Sequence, residues 1–190
     1  MKIYDISQEL FSCCVFPGDM APSREHPLLM EKGDACNVTN LSMCAHNGTH
    51  LDAPYHFCEK GKTVDQLDLL KVIGDAAVVS FDGELTAADI ERIMEKAPKR
   101  LLFKGHAVVT LEAAEALNQH GIELVGVESQ TVGPEDGPVK VHLELLGKEV
   151  VLLEGIRLGE VPDGTYFLNA APVNLGGADG APCRAVLIKF

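Results

Sequence analysis

The chain has 190 residues and no tryptophan, and aromatic residues make up only 5% of it. Its core cannot be organised around large rings and must rest on Val, Leu, Ile and Ala, which the 46% hydrophobic content supplies. Basic residues are also scarce: 16 Lys and Arg stand against 28 Asp and Glu, a formal net charge of −12. A surface of that sign repels phosphate backbones and anionic headgroups, which argues against nucleic acid or membrane as partners and favours cations. No apolar run approaches a membrane span, and the opening MKIYDISQEL lacks the hydrophobic centre of a signal peptide, so a cytoplasmic protein is expected. The cysteines (Cys13, Cys14, Cys36, Cys44, Cys58 and Cys183) form no C-x-x-C pair. They read as small buried thiols kept reduced, with zinc held by cysteine not expected. Adjacent side chains point apart, so Cys13 and Cys14 are poorly set to bridge each other. Repeats, low-complexity tracts and linkers are missing as well, and residues 1–190 are expected to form one domain.

Short runs rich in Val and Ile are present throughout. KIYDIS, CNVTNLSM, DAAVVSF, RLLF, IELVGV, KEVVLLEGI, TYFLNAA and RAVLIKF have the composition and length of buried strands. Two helices are expected among them. One follows Thr86, with Thr86 and Asp89 spaced as a capping box and Ile90, Ile93, Met94 and Ala97 on one face. The other follows Thr110, with Leu111, Ala114 and Leu117 inward and Gly121 as its stop. A strand follows each helix, so the middle of the chain reads as alternating α/β, and the whole as a mixed sheet with helices.

Histidine is concentrated in one place. Residues 46–56 read HNGTHLDAPYH and hold three of the seven histidines together with an aspartate. His46, His50, Asp52 and His56 share parity, but on one straight strand the outer pair would lie ~33 Å apart. Donors to one ion must converge, each ~2 Å from it. On a regular helix Asp52 would rotate away from His46 and His50. Gly48 supplies a bend and Pro54 stops a helix, so the spacing fits a chain that turns once and then extends, gathering His46, His50 and Asp52. Two imidazoles and a carboxylate suit Zn²⁺, Mn²⁺ or Fe²⁺. Asn47 stands where the H-E-x-x-H of zinc proteases has its glutamate, so another group must handle protons, and His56 is the candidate. Further ligands must come from distant sequence: His26, His106, His120, His142 or a carboxylate. Glu154, a charge within an apolar run, either pairs with a cation or reaches solvent at a strand end.

HNGTHLDAPYH matches the H-x-G-T-H-x-D-x-P-x-H signature of the cyclase family, whose best-known members are bacterial kynurenine formamidases. The resemblance continues through YDISQEL, FPGD, LTAADI, TLEAAEALNQHGIELVGVES, HLELLGKEVVLLEGIRL and GADGAPCRAVL. It implies a three-layer β/β/α cyclase-like (swivelling) fold with a mixed sheet and flanking helices. It also implies two divalent ions per subunit, zinc or else manganese. His46, His50 and Asp52 would hold one, Asp52 would bridge to the second, His142 would hold that second ion, and Glu154 would touch both. His56 corresponds to the catalytic acid/base, and Phe16 stands where formamidases commonly carry a substrate-facing tryptophan. The implied activity is hydrolysis of an aryl formamide, N-formylkynurenine, in tryptophan catabolism. Isatin hydrolase resembles the same pattern, so a cyclic or other small amide is the alternative substrate, and a non-catalytic metal-binding regulator the alternative class. The resemblance further implies a homodimer or homotetramer. Phe16 and the short stretch RLLFKGHAVVT depart from the formamidase pattern, and both are expected to touch the substrate pocket.

Overall fold

Every segment expected to be extended contains a strand in the computed structural model, which describes residues 1–190. In chain order the elements are β1 (Lys2–Asp5), β2 (Ser23–Leu28), β3 (Val38–Ser42), β4 (His50–Asp52), β5 (Ile73–Ser80), β6 (Gly83–Leu85), α1 (Ala87–Met94), β7 (Arg100–Lys104), β8 (Ala107–Val109), α2 (Leu111–Gln119), β9 (Leu124–Val127), α3 (Val139–Leu146), β10 (Val151–Glu154), β11 (Gly164–Asn169), β12 (Gly180–Pro182) and β13 (Val186–Lys189). A nine-stranded mixed sheet runs β1-β13-β11-β5-β7-β9-β10-β4-β12. Its centre, β5-β7-β9-β10, is parallel. Parallel neighbours need crossovers, and α1, α2 and α3 supply the three.

Strand alternation divides the core in two. Leu101, Phe103, Val125, Val127 and Leu152 face the helices and pack on Ile90, Leu117, Val141 and Leu145. The opposite faces of seven strands, including Leu51, Val78, Leu102, Leu153, Leu168 and Leu187, pack on one another with no helical residue among them. A sheet that buries one face against itself is curled, so the layers are β, β and α.

The helix starts follow their caps. Thr86 Oγ1 accepts from the Asp89 amide at 3.2 Å and Asp89 Oδ2 from the Thr86 amide at 3.1 Å. Thr110 Oγ1 accepts from the Ala113 amide at 3.2 Å, and Gly121, at φ +66°, follows the end of α2. One inward assignment and one helix boundary need correction. Leu111 is 38% exposed, because the first helical position sits at the rim, and Ala113, Ala114, Ala116 and Leu117 form the buried face. Ala97 packs on the core from beyond the end of α1. The thiols also differ from expectation: all six are free, yet Cys14 and Cys36 are exposed and the others only partly covered.

One feature lies outside both cores. Strands β2 and β3 form a separate two-stranded arm in which every residue is exposed, with Met20, Leu28, Met30, Val38 and Leu41 among the uncovered apolar side chains. No helix is long and apolar enough to cross a membrane.

Candidate metal centre

Alternation on β4 turns Leu51 into the sheet-enclosed core and His50 and Asp52 toward the helices. The antiparallel neighbour β10 pairs Glu154 with His50, so the carboxylate shares that face. Helix α3 lies over it and carries His142 on its buried side. Ahead of β4, Gly48 takes φ +66° and reverses the chain, which brings His46 back onto Asp52.

Main-chain groups fix which nitrogen each ring presents. His50 Nδ1–H donates to the Gly48 carbonyl at 3.1 Å, and His142 Nδ1–H to the Pro138 carbonyl at 3.0 Å. Both Nε2 atoms are thereby aimed at the carboxylates. His50 Nε2 lies 3.4 Å from Asp52 Oδ1 and 3.4 Å from Glu154 Oε2. His142 Nε2 lies 3.3 Å from Glu154 Oε1 and 3.7 Å from Asp52 Oδ2. His46 Nδ1 is 2.8 Å from Asp52 Oδ1. Glu154 Oε1 is held by the Val132 amide at 2.7 Å.

These spacings fit a metal. Donors ~2.1 Å from a tetrahedral ion sit ~3.4 Å from one another, which is the separation found here. His50 Nε2 and Asp52 Oδ2 are buried without a hydrogen-bond partner, an arrangement that costs free energy unless a cation or water engages them. The two carboxylates also divide their oxygens: Asp52 Oδ1 and Glu154 Oε2 face His50, while Asp52 Oδ2 and Glu154 Oε1 face His142.

The charges support each other. Burial acts to lower the pKa of His50, but the neighbouring Asp52 and Glu154 carboxylates outweigh it and raise the pKa well above the ordinary imidazole value. His46 and His142 are raised by the same balance, burial opposing and Asp52 or Glu154 prevailing. Burial acts to raise Asp52, yet His46 and His50 hold it far below the usual carboxylate range. The pocket holds a buried carboxylate ringed by imidazoles, a charge arrangement that suits a cation.

His56 sits beside this cluster on a 3₁₀ turn, Pro54–His56. Its ring stacks on His46 at a centroid distance of 4.1 Å, and His46, Asp52 and His56 offer donor atoms within 4.8 Å of one another. Phe16 and Phe57 are the apolar walls of a cavity of about 270 Å³, and His46, His50, His56, His142 and Glu154 also line it. Phe57, Gln130 and Thr131 were not anticipated. Neither was Asp179, whose Oδ2 lies 2.9 Å from His46 Nε2 and 3.0 Å from His56 Nδ1. Nothing in GADGAP distinguishes this aspartate from an ordinary turn residue; only pairing of β12 with β4 brings it here.

Other candidates lie elsewhere. His26 is on the arm beside Thr39, His120 pairs with Glu91, and His106 follows β7 in the turn held by Asp82. Residues 105–108 of the short stretch, expected at the substrate pocket, line instead a neighbouring cavity of about 580 Å³ that shares Gln130 with the first. The tight β7–β8 turn keeps them on that side.

Residues 4–134 match the Cyclase family model, described as "Putative cyclase". The chain is 32% identical to a kynurenine formamidase of Erythrobacter litoralis, over 98% of this chain and 93% of that protein. It is 34% identical to one of Bacillus cereus, over 96% and 95%. Among solved structures, a "predicted metal-dependent hydrolase" from Bacillus stearothermophilus superposes with a TM-score of 0.83 at 28% identity, over 98% of this chain and 97% of that one. Isatin hydrolase A from Labrenzia aggregata superposes with a TM-score of 0.86 at 23% identity, over 98% and 93%, a likeness of fold.

Proposed function

The chain belongs to the cyclase family, and on that footing we propose that it is a metal-dependent amidohydrolase acting on an aryl formamide. The substrate proposed is N-formylkynurenine, cleaved to kynurenine and formate in tryptophan catabolism, as the names of its relatives suggest. One observation carries the reading: two buried carboxylates each turn one oxygen to His50 and the other to His142, beside a cavity walled by two aromatic rings. That division supports two ions per chain. His46, His50 and Asp52 would hold one, His142 the other, with Asp52 and Glu154 touching both. Zinc is the proposed ion, and manganese is accepted by the same donors.

A divalent cation bound there supplies Lewis-acid polarisation of the carbonyl and lowers the pKa of a water molecule from 15.7 toward about 7. The protein's own part is orientation and proton transfer. Phe16 and Phe57 hold the aryl ring and exclude water from its faces. His56 takes the proton of the attacking water at its free ring nitrogen and returns it to the aniline nitrogen as the C–N bond breaks. Water and formamide thus become amine and formate with no co-reactant. Such transfer contributes about 10²- to 10⁴-fold.

The exposed arm supports self-association. A two-stranded hairpin outside both hydrophobic cores is marginal in water, and in a chain of net charge −12 the segment 20–43 carries only two basic and three acidic residues. Two copies would meet there with little charge repulsion, so a homodimer, or a tetramer built from it, is the proposed assembly. The unpaired thiols support a reducing, cytoplasmic setting.

The test is a substrate panel with zinc-loaded protein: N-formylkynurenine, isatin and simple aryl formamides. Preferred turnover of N-formylkynurenine is expected. Preference for isatin would favour the cyclic-amide reading, and an inert protein that binds a partner only with metal would favour a regulatory one.

A further inference from the structure

Asp179 stands just before β12, and its position is tightly determined. Its carbonyl accepts from the Ala53 amide at 2.9 Å, and the next residue, Gly180, pairs with Asp52 across β12 and β4. A Cβ on Gly180 would fall 2.6 Å from His46 Cε1 and 2.9 Å from the Leu51 carbonyl oxygen. A glycine is therefore what lets this main chain lie against the His46 ring.

The Asp179 carboxylate, 41% exposed at its side chain, directs one oxygen at two imidazoles: His46 Nε2 at 2.9 Å and His56 Nδ1 at 3.0 Å. An ionised carboxylate only accepts hydrogen bonds, so both nitrogens facing it carry hydrogen. The consequence differs for the two rings. His46 faces a carboxylate on both sides, since its Nδ1 lies 2.8 Å from Asp52 Oδ1; with Nε2–H kept on Asp179, Nδ1 is the nitrogen that gives up its hydrogen to an ion bound on the Asp52 side. With Nδ1–H given to Asp179, His56 keeps its lone pair on Nε2, the opposite of the tautomer that a free histidine side chain prefers.

We propose that Asp179 is a positioning residue that sets the tautomers of both His46 and His56, so that one carboxylate prepares an ion ligand and a proton carrier together. This rests on the roles given above to His46 and His56. It explains why the two rings stack, since a shared acceptor holds them at a centroid distance of 4.1 Å and 30° apart. Outer partners of this kind fix ring orientation and typically change metal affinity 10- to 100-fold when removed.

The experiment is long-range ¹H–¹⁵N correlation on zinc-loaded, ¹⁵N-histidine-labelled protein, at alkaline pH where the rings are neutral. The expected pattern for His56 is a protonated Nδ1 and an unprotonated Nε2. In Asp179→Ala that pattern moves toward Nε2–H, zinc affinity falls about 10- to 100-fold, and kcat falls while KM stays within about twofold. Asp179→Asn keeps an acceptor oxygen and retains the His56 pattern, which guards against a folding defect in the alanine variant. A wild-type protein with Nε2–H on His56, or an alanine variant with unchanged ring pattern and zinc affinity, overturns the proposal. The ring pattern and zinc affinity are read without substrate. A protein whose tautomers respond as stated but which turns over no amide would therefore refute the hydrolase reading and leave the positioning role standing.

Discussion

Gly180→Ala is a one-carbon change whose effect can be worked out from the site. The new Cβ would lie 2.6 Å from His46 Cε1, 3.0 Å from His46 Nε2 and 2.9 Å from the Leu51 carbonyl oxygen. Carbon contacts relax at about 3.5 Å, so one partner must retreat by about 0.9 Å. Leu51 is in β4, bonded on one side to β10 and on the other to β12, and its main chain has nowhere to go. His46 must swing instead, and a shift of that size breaks contacts of 2.8 Å to Asp52 and 2.9 Å to Asp179. Gly180 is not in the left-handed region, so backbone strain adds nothing. Overpacking of this kind costs about 1–3 kcal/mol, and a misplacement near 1 Å at a catalytic centre costs about 100-fold in rate. Melting temperature, zinc affinity by chelator competition, and kcat/KM on the substrate panel should all fall. Gly176→Ala is the control, because an added Cβ there meets nothing within 4 Å. If Gly180→Ala matches Gly176→Ala in all three assays, the steric reasoning and the role of His46 are both refuted.

His56→Ala should retain bound zinc while losing about 10²- to 10⁴-fold in turnover; loss of zinc instead would make His56 a ligand. Phe16→Ala should raise KM for aryl substrates about 2- to 13-fold with kcat little changed, as expected from losing about 0.5–1.5 kcal/mol of ring contact; an unchanged KM would remove Phe16 from substrate binding. The pH response of chelator-treated protein follows from the raised pKa values of His46, His50 and His142. A histidine raised on folding adds stability that is fully present below about pH 6.5 and is lost as pH climbs through the raised value. Chelator-treated protein should therefore melt at progressively lower temperature from neutral to alkaline pH, while zinc affinity rises over the same range as the competing protons leave. A flat melting profile would contradict the assignment.

How much could be read beforehand depended on how local the cause was. The donors His46, His50 and Asp52 and the capped starts of α1 and α2 are set by neighbours within a few residues, and spacing alone suggested them. Helix α3 escaped notice because Val139, Val141 and the adjoining KEVVLLEG favour extension, and Pro138 provides no side-chain cap. Of the arm only β3 was legible, in CNVTNLSM; β2 was not, because SREHPL lacks alternation and has little apolar content, as suits a strand exposed on both faces. Asp179 could not be found at all, since it lies 123 residues from His56 and meets it only through the pairing of β12. His142 and Glu154 came from family resemblance, where spacing left them among many candidates.

The most direct test is crystallography of the zinc-loaded protein, with anomalous difference maps recorded on both sides of the zinc absorption edge. Two peaks are expected, one among His46, His50 and Asp52 and one against His142, with Asp52 and Glu154 in contact with both. A single peak, or peaks that leave Asp52 and Glu154 without contact to a metal, would contradict the two-ion site and the hydrolysis built on it.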